Sequence, residues 1–369
     1  MKITDVKATV WEWRDIPPTR YHRTATNKNR FNSQLALIRI LTDEGIEGHA
    51  FLGTALGGAM NDAASLVKRY KPMLVGENPL ARERIWQRMS VWAMGGTMRV
   101  IGALDVALWD LAGKAAGVPV HELMGTFRES VPAYASSAVL DTPQDYAEEA
   151  VKFKELGWAA YKIHPPAIPE EDIKVCKAVR EAVGDDFRVM LDACWAYDYP
   201  NALRVGRAVE ELGFYWYEDP LPADDLYSYG KLKQVLGIPL MATEMPMLGP
   251  KSYAPWIMNK ATDYLRGDVA IKGGLTSCLK TAHLAESFQM NYEVHHGGNS
   301  LNNVAGLHLI MAIPNCELFE VLLPDEAQKH GLVQDIVVDS NGLVHAPQGP
   351  GLGVEIDFEL IERNKLAEY

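Results

Sequence analysis

Three carboxylates in the middle of the chain are evenly spaced, and each lies at the end of a short apolar run. Asp192 lies in FRVMLDA, Glu218 in FYWYEDP and Glu244 in IPLMATE, and both intervals are 26 residues. Such an interval holds one strand and one helix, so the acids are expected side by side at the carboxyl ends of parallel strands. Adjacent ionised carboxylates need a cation, and all-oxygen ligands suit Mg²⁺. We predict a Mg²⁺ site, although one such acid alone is more often a helix N-cap.

Side chains that can carry protons occupy the same position in other apolar runs. Lys162 and His164 lie at the end of AAYKIH, and residues two apart on a strand face the same side. The remaining run ends carry Asp268, the adjacent His295 and His296, and Glu320. A buried lysine is rare without a task, so we interpret Lys162 and His164 as site residues rather than as ordinary polar groups of a barrel interior.

The elements that must position these side chains change in type along the chain. The first part indicates a strand to about Trp13, a polar stretch, a hairpin turning at 43–45, and helices, the clearest at 100–117. From about residue 131, eight apolar runs alternate with amphipathic segments, which predicts a parallel α/β barrel, with a doubly wound open sheet as the alternative. The predicted division is a capping domain at 1–125, a barrel at 126–330 and a C-terminal segment at 331–369 that returns to the capping domain.

Composition narrows the possible partners. The chain has 369 residues, 48% of them hydrophobic, and a net charge of −12. An acidic chain repels polyanions, so neither nucleic acid nor an anionic membrane is an expected partner, and no segment approaches a membrane span. The four cysteines are widely separated and form no CxxC pair, which is typical of reduced core residues in a cytoplasmic protein.

Six short motifs occur in a fixed order along the second part of the chain. They are YKIH, MLDA, YEDPL, ATE, GDVAIKGGLT and HHGG, and ALDVALWDLAGKAAGVPVHELMG precedes them. Together they resemble the domain junction and strand-end motifs of the enolase superfamily, in its mandelate racemase-like branch, over essentially the whole chain. The resemblance implies an α/β fold: a modified TIM barrel, (β/α)7β, with an α+β N-terminal capping domain that the C-terminal tail completes. It also implies a homo-oligomer.

The resemblance implies roles for the residues on the first strand ends. Asp192, Glu218 and Glu244 would bind Mg²⁺, and Lys162 would be a cation near the substrate carboxylate. His164 stands where this branch often has a second lysine, and would take the proton-transfer place. A nearby Mg²⁺ disfavours the imidazolium form, which would keep His164 neutral and able to accept a proton.

Further roles follow for the later strand ends and for the capping domain. Asp268 would orient His295, with His296 as the alternative partner and otherwise as a substrate contact. Glu320 would hydrogen-bond the substrate carboxylate or the enediolate, and could donate to it when protonated. A polar loop resembles the family's cap loop, which closes over the substrate, and its candidate substrate-binding residues are Tyr21, His22 and Arg23. The alternative for this loop is a solvated linker.

Two proton-transfer groups permit two reactions on one intermediate. If the substrate carries a β-hydroxyl, the enediolate can expel it, and if it does not, the proton can return on the other face. We predict a Mg²⁺-dependent dehydratase that converts an acid sugar, a small carboxylate, to a 2-keto-3-deoxy acid. The first alternative is a racemase or epimerase. The second is a non-catalytic binding protein, and the complete set of site residues argues against it.

Overall fold

The computed structural model describes residues 1–22, 29–93, 97–245 and 248–369, so the predicted substrate contact Arg23 lies outside the described residues. The chain forms a small antiparallel sheet with its helices and a larger parallel sheet that curves into a barrel. Within the described ranges, no helix combines the length and the apolar character that crossing a membrane would require.

The N-terminal sheet is antiparallel and consists of β1 (Ile3–Ile16), β2 (Phe31–Thr42), β3 (Glu47–Leu52) and β13 (Lys365–Glu368). Their order in the sheet is β13–β1–β2–β3. The helices that follow it in sequence are α1 (Met60–Ser65), α2 (Lys71–Leu74), α3 (Arg82–Val91), α4 (Met98–Ala116) and α5 (Val120–Met124). Because β13 pairs with β1, with Ala367 opposite Val10, the end of the chain completes this sheet.

The long helix α4 joins the capping sheet to the rest of the molecule. It ends where Gly117 adopts a left-handed conformation (φ 73°), a common helix termination because glycine has no Cβ to clash there. Asp110 accepts hydrogen bonds from the backbone N–H groups of His49 in β3 and Leu352 in the C-terminal tail, each at 2.8 Å. Asp105 accepts from the N–H and hydroxyl of Thr276, at 2.8 and 2.7 Å. Hydrogen bonds from this one helix thus connect the capping sheet, the C-terminal tail and the barrel.

The barrel contains eight parallel strands in sequential order, and its first and last strands also pair. They are β4 (Ser130–Ser136), β5 (Ala160–Ile163), β6 (Arg188–Asp192), β7 (Tyr217–Glu218), β8 (Leu240–Ala242), β9 (Tyr264–Gly267), β10 (Asn291–Val294) and β11 (Phe319–Leu322). The intervening helices are α6 (Pro143–Glu155), α7 (Pro169–Val183), α8 (Tyr199–Glu211), α9 (Leu226–Lys233), α10 (Ala254–Met258), α11 (Leu275–Ser287) and α12 (Ser300–Ala312). In the part of the barrel that the structure describes, eight strands with seven intervening helices confirm the (β/α)7β barrel.

The C-terminal segment contacts the barrel before it reaches the capping sheet. Strand β12 (Leu343–His345) pairs antiparallel with the start of β4, with Val344 opposite Val131. Helix α13 (Phe358–Arg363) then leads into β13. This segment therefore packs on both parts of the molecule.

Strand alternation builds the barrel interior in layers. A buried apolar cluster lies at the amino ends of the strands and consists of Tyr134, Ala160, Met190, Trp216, Met241 and Leu318. Residues two positions further along a strand face the same side. Lys162, Asp192, Glu218 and Glu320 each follow a cluster member by two, so an ionic layer lies directly above the apolar one, towards the carboxyl ends. Active sites of such barrels lie at that end.

Candidate active site

Lys162 lies at the centre of the ionic layer and is buried. Its Nζ is 3.0 Å from Asp192 Oδ2, 3.1 Å from Glu218 Oε2 and 2.8 Å from Glu320 Oε1. Burial and the nearby guanidinium of Arg266 would each lower the pKa of Lys162, but the carboxylates outweigh both and raise it well above its ordinary value. Lys162 is therefore a fixed cation rather than a base.

Arg266, on β9, is a second buried cation that the sequence analysis missed. Its side chain is 0% exposed, and it contacts Glu218 Oε1 at 2.6 Å and Glu320 Oε2 at 2.5 Å. Burial would raise the pKa of Glu320, but Arg266 and Lys162 hold it well below its ordinary value. The structure thus places Glu320 beside two buried cations, which favour its ionised form over the protonated donor that the sequence suggested.

Two of the three predicted Mg²⁺ ligands, Glu218 and Glu244, lie together with an additional acid, Asp219. One oxygen from each of Glu218, Asp219 and Glu244 lies within 4.8 Å of the others, and Lys162 links Asp192 to Glu218. Asp219 Oδ2 is buried and has no hydrogen-bond partner among the described residues. Burial and the neighbouring acids, led by Glu244, raise the pKa of Asp219 well above its ordinary value. Crowded carboxylates with an unpaired buried oxygen fit a hard divalent cation such as Mg²⁺.

His164 follows β5 and has a defined tautomer. Its Nδ1 is 2.6 Å from the backbone oxygen of Ser137, which can only accept, so Nδ1 carries a proton. Its Nε2 faces Asp192 Oδ2 at 3.1 Å, and the side chain lines the cavity described below. In the neutral imidazole, Nε2 is then the nitrogen that can accept a proton.

His295 and Asp268 form the second proton-transfer group. His295 Nδ1 is 2.7 Å from Asp268 Oδ2, and the other Asp268 oxygen accepts the Ile271 N–H at 2.8 Å. His296 points the other way. Its ring packs against Phe319 with centroids 4.1 Å apart, and both ring nitrogens lack a partner among the described residues. The expectation that His296 contacts the substrate does not fit this geometry, because its ring packs on Phe319 and is not among the described residues that line the cavity.

The charge of His295 predicts how the stability of the metal-free protein depends on pH. Burial would lower the pKa of His295, but Glu244, Asp268 and Glu320 outweigh it and raise the pKa from 6.5 to about 9. This raised pKa adds stability that is fully present below about pH 6.5 and is lost as the pH rises through about 9. We expect the Tm of the EDTA-treated protein to fall across this window, and to fall less in His295→Asn. Equal slopes for the two proteins would contradict this assignment.

Tyr21 fixes the cap segment to the barrel. Its hydroxyl donates to the backbone oxygen of Leu323 at 2.7 Å and accepts from Gln328 Nε2 at 2.9 Å. Gln328 Oε1 accepts from the backbone N–H of Gly298 at 2.7 Å, and the Tyr21 ring lies 5.3 Å from the His164 ring. A single side chain, Gln328, thus connects the loop after His295 to the residue that covers His164.

A cavity of about 300 Å³ lies between these groups. Its described lining consists of Tyr21, His22, Thr54, Ala55, Leu56, His164, Asp192, Cys194, Trp195, Glu244, Met245, Asp268, Ala270, Ile271, His295, Gly297, Gly298, Leu322 and Gln328. Lys162, Glu218 and Glu320 lie below it in the ionic layer, and His296 lies outside the lining. Both proton-transfer groups and two of the predicted Mg²⁺ ligands therefore face one space.

Several residues of this site escaped the sequence analysis. Arg266 lies inside an apolar run, Asp219 directly follows a predicted ligand, Gln328 lies in the segment after the last strand, and Cys194 looked like a core residue. A charged residue two positions before Asp268, on the same strand face, was the available signal for Arg266. Nothing local in the sequence marks Gln328.

A parallel barrel that gathers carboxylates and two histidines beneath a capping sheet defines an enzyme of the enolase type. Comparison with known families matches residues 5–125 to the mandelate racemase / muconate lactonizing enzyme N-terminal domain, and residues 145–360 to the enolase C-terminal domain-like family. The chain belongs to the enolase superfamily, and the resemblance inferred from the motifs is confirmed.

Relatives with named activities align over most of the chain. D-galactarolactone cycloisomerase of Agrobacterium fabrum is 30% identical over 100% of this chain and 99% of that protein. Arabinonate dehydratase of Saccharolobus solfataricus is 28% identical over 90% of this chain and 91% of that protein. The crystal structure of D-glucarate dehydratase from Agrobacterium tumefaciens complexed with magnesium superposes with a TM-score of 0.89 and 36% identity over 100% of both chains.

Proposed function

We propose that this protein is a Mg²⁺-dependent dehydratase of an acid sugar, an aldonate or aldarate, and yields a 2-keto-3-deoxy acid. One observation carries the proposal. The side chains of His164 and His295 face one cavity beside a cluster of carboxylates, with His164 Nδ1 on the backbone oxygen of Ser137 and His295 Nδ1 on Asp268. Relatives named as acid-sugar dehydratases support the substrate class.

The carboxylates set the position of the substrate. Asp192, Glu218 and Glu244 would hold the ion, with Asp219 beside them, and bound Mg²⁺ supplies positive charge for the substrate carboxylate and for the developing enediolate oxygens. The buried Lys162 keeps its charge at the same edge and adds a second, fixed cation. Preorganised positive charge lowers the cost of forming an enediolate.

The two histidines then take opposite tasks. His164 Nε2 accepts the proton next to the carboxylate, because its Nδ1 proton is held by Ser137. His295 Nε2 donates a proton to the departing β-hydroxyl, since Asp268 favours the imidazolium form. His164 follows β5 and His295 follows β10. Around the barrel, these two strands are separated by β4 and β11 in one direction and by four strands in the other. Base and acid can therefore approach different faces of the substrate.

The same arrangement also suits proton transfer without elimination. A substrate with no leaving group would receive the proton of His295 on the face opposite His164, which is racemisation or epimerisation. The two reactions differ in their products and in whether water is lost.

Incubation of the protein with Mg²⁺ and a library of acid sugars tests the proposal. Semicarbazide detects the 2-keto-3-deoxy products, and we expect a signal that EDTA abolishes and that returns when Mg²⁺ is added. α-Proton exchange in D₂O is followed by NMR with the same library. Exchange without elimination would replace the dehydratase by an epimerase, and neither exchange nor elimination would contradict both activities.

A further inference from the structure

A second group of potential metal ligands lies next to the proposed Mg²⁺ site and differs from it in chemistry. One ligand atom from each of His164, Asp192 and Cys194 lies within 4.8 Å of the other two. His164 and Asp192 are buried, Cys194 is half-buried, and all three line the cavity. Cys194 was predicted to be a core residue, and the structure instead places it beside the proton-transfer group.

The orientation of His164 points to a cation between it and Asp192. Ser137 accepts the Nδ1 proton, and Nε2 faces Asp192 Oδ2 at 3.1 Å. A proton or a metal ion between Nε2 and this oxygen would satisfy both atoms. Nitrogen and oxygen ligands of tetrahedral zinc, with bonds of about 2.0–2.1 Å, are about 3.3 Å apart. A backbone oxygen that holds the other ring nitrogen is the usual support of a metal-binding histidine.

The cysteine makes the group selective for a different class of metal. Thiolate and imidazole are ligands of zinc and of similar transition metals, whereas Mg²⁺ takes oxygen ligands. A thiol binds a metal ion as the thiolate, so coordination by Cys194 would displace its proton.

The positive charge of Lys162 opposes the binding of a metal ion at this group, but neighbouring acids offset it. Lys162 Nζ lies 3.0 Å from Asp192 Oδ2, but it also contacts Glu218 at 3.1 Å and Glu320 at 2.8 Å. Those two acids offset its charge, as they do that of Arg266. Glu244 adds negative charge to the lining of the same cavity.

We propose that His164 Nε2, an Asp192 carboxylate oxygen and Cys194 Sγ form a site for a thiophilic divalent metal ion such as Zn²⁺, and that its occupation inhibits the enzyme. Inhibition rests on the proposed function, because the ion takes the nitrogen that would accept the substrate proton. Asp192 belongs to both sites, so Zn²⁺ and Mg²⁺ compete.

Cobalt binding tests the site without any assay of activity. Co²⁺ is titrated into the EDTA-stripped, dialysed full-length protein, and a thiolate-to-cobalt charge-transfer band in the near ultraviolet reports a Co–S bond. We expect the band in the wild type, its loss in Cys194→Ser, and its retention in the matched control Cys278→Ser, whose buried cysteine lies outside the cavity lining. Absence of the band from the wild type, or its survival in Cys194→Ser, would overturn the proposal.

Zinc affinity provides a second measurement and separates the two metal sites. In competition with a chromophoric chelator, we expect Cys194→Ser and His164→Asn each to weaken Zn²⁺ binding at least about 10-fold, and Glu244→Gln to change it less. If Glu244→Gln weakens Zn²⁺ binding as much as Cys194→Ser does, zinc binds the carboxylate cluster and the proposal is wrong. Two variants at different ligands keep the test decisive if one does not fold.

Inhibition is then measured against each variant's own rate with Mg²⁺. We expect Zn²⁺ to inhibit the wild type and Cys278→Ser alike, and to need about 10-fold more metal in Cys194→Ser. Equal inhibition of the wild type and Cys194→Ser would remove the inhibitory role. Cobalt binding through Cys194 in a protein without dehydratase or exchange activity would instead refute the proposed function and leave the metal site standing.

Discussion

Replacing His295 by Asn is expected to lower kcat about 10²- to 10⁴-fold, the usual contribution of one acid–base group. Asparagine can still donate a hydrogen bond to Asp268, now 2.7 Å from the imidazole, but it has no proton to transfer at the position of Nε2. The loss should fall on elimination, because His164 remains able to remove the substrate proton. The measurement is steady-state dehydration with the substrate identified in the library, together with α-proton exchange in D₂O.

The neighbouring residue provides a matched control for this variant. His296→Asn makes the same chemical change one position further along, at a buried ring that packs on Phe319 and does not line the cavity. Burial lowers the pKa of His296 to about 3, so its ring is uncharged at neutral pH. We expect His296→Asn to retain kcat within about 10-fold. A loss as large as that of His295→Asn would contradict the assignment of the proton-transfer residue.

Removing Arg266 is expected to destabilise the barrel by about 3–5 kcal/mol, the cost of leaving buried charges without their partner. The guanidinium contacts Glu218 at 2.6 Å and Glu320 at 2.5 Å, and all three side chains are fully buried. Arg266→Met keeps an unbranched chain in the same space and deletes only the charged end. Glu218 and Glu320 would then share Lys162 as their remaining cation contact among the described residues. Urea denaturation of the metal-free protein measures the change.

A double variant distinguishes charge imbalance from lost packing. Arg266→Met with Glu320→Gln removes one cation and one anion, so the ionic layer keeps its net charge. We expect the double variant to be more stable than Arg266→Met alone, since isosteric removal of both partners of a buried pair is often tolerated. If the losses in the free energy of unfolding of Arg266→Met and Glu320→Gln add up in the double variant, the pair contributes through packing. If the free energy of unfolding of Arg266→Met is within about 0.5 kcal/mol of that of the wild type, the prediction is wrong.

Much of the architecture was predictable from local pattern. Helical spacing followed by a glycine marked 100–117, and the structure has α4 at Met98–Ala116 with Gly117 left-handed at its end. Eight apolar runs separated by amphipathic segments indicated the barrel, because strand and helix periods differ and each is visible within about ten residues. The positions of Asp192 and Glu218 at strand ends followed from the same periodicity.

Contacts across the barrel were not predictable in this way. Arg266 meets Glu320 over a separation of 54 residues, and Gln328 meets Tyr21 over 307. Such pairs depend on how the sheet closes and on which strands face each other, and no local pattern carries that information. The preference of Glu320 for its ionised form depends on those partners, so the local pattern of the chain could not indicate it.

The sequence by itself determined the fold class, the order of the strands and the residue types at the barrel's open end, because side-chain alternation and the length of one strand–helix unit are local properties of the chain. Only the tertiary structure decided which side chains meet. It turned His295 towards Asp268 and His296 against Phe319, and it brought Cys194 to His164. The physical reason is that protonation states and ligand geometry depend on distances of a few ångströms between residues far apart in sequence, and those distances exist only once the barrel has closed.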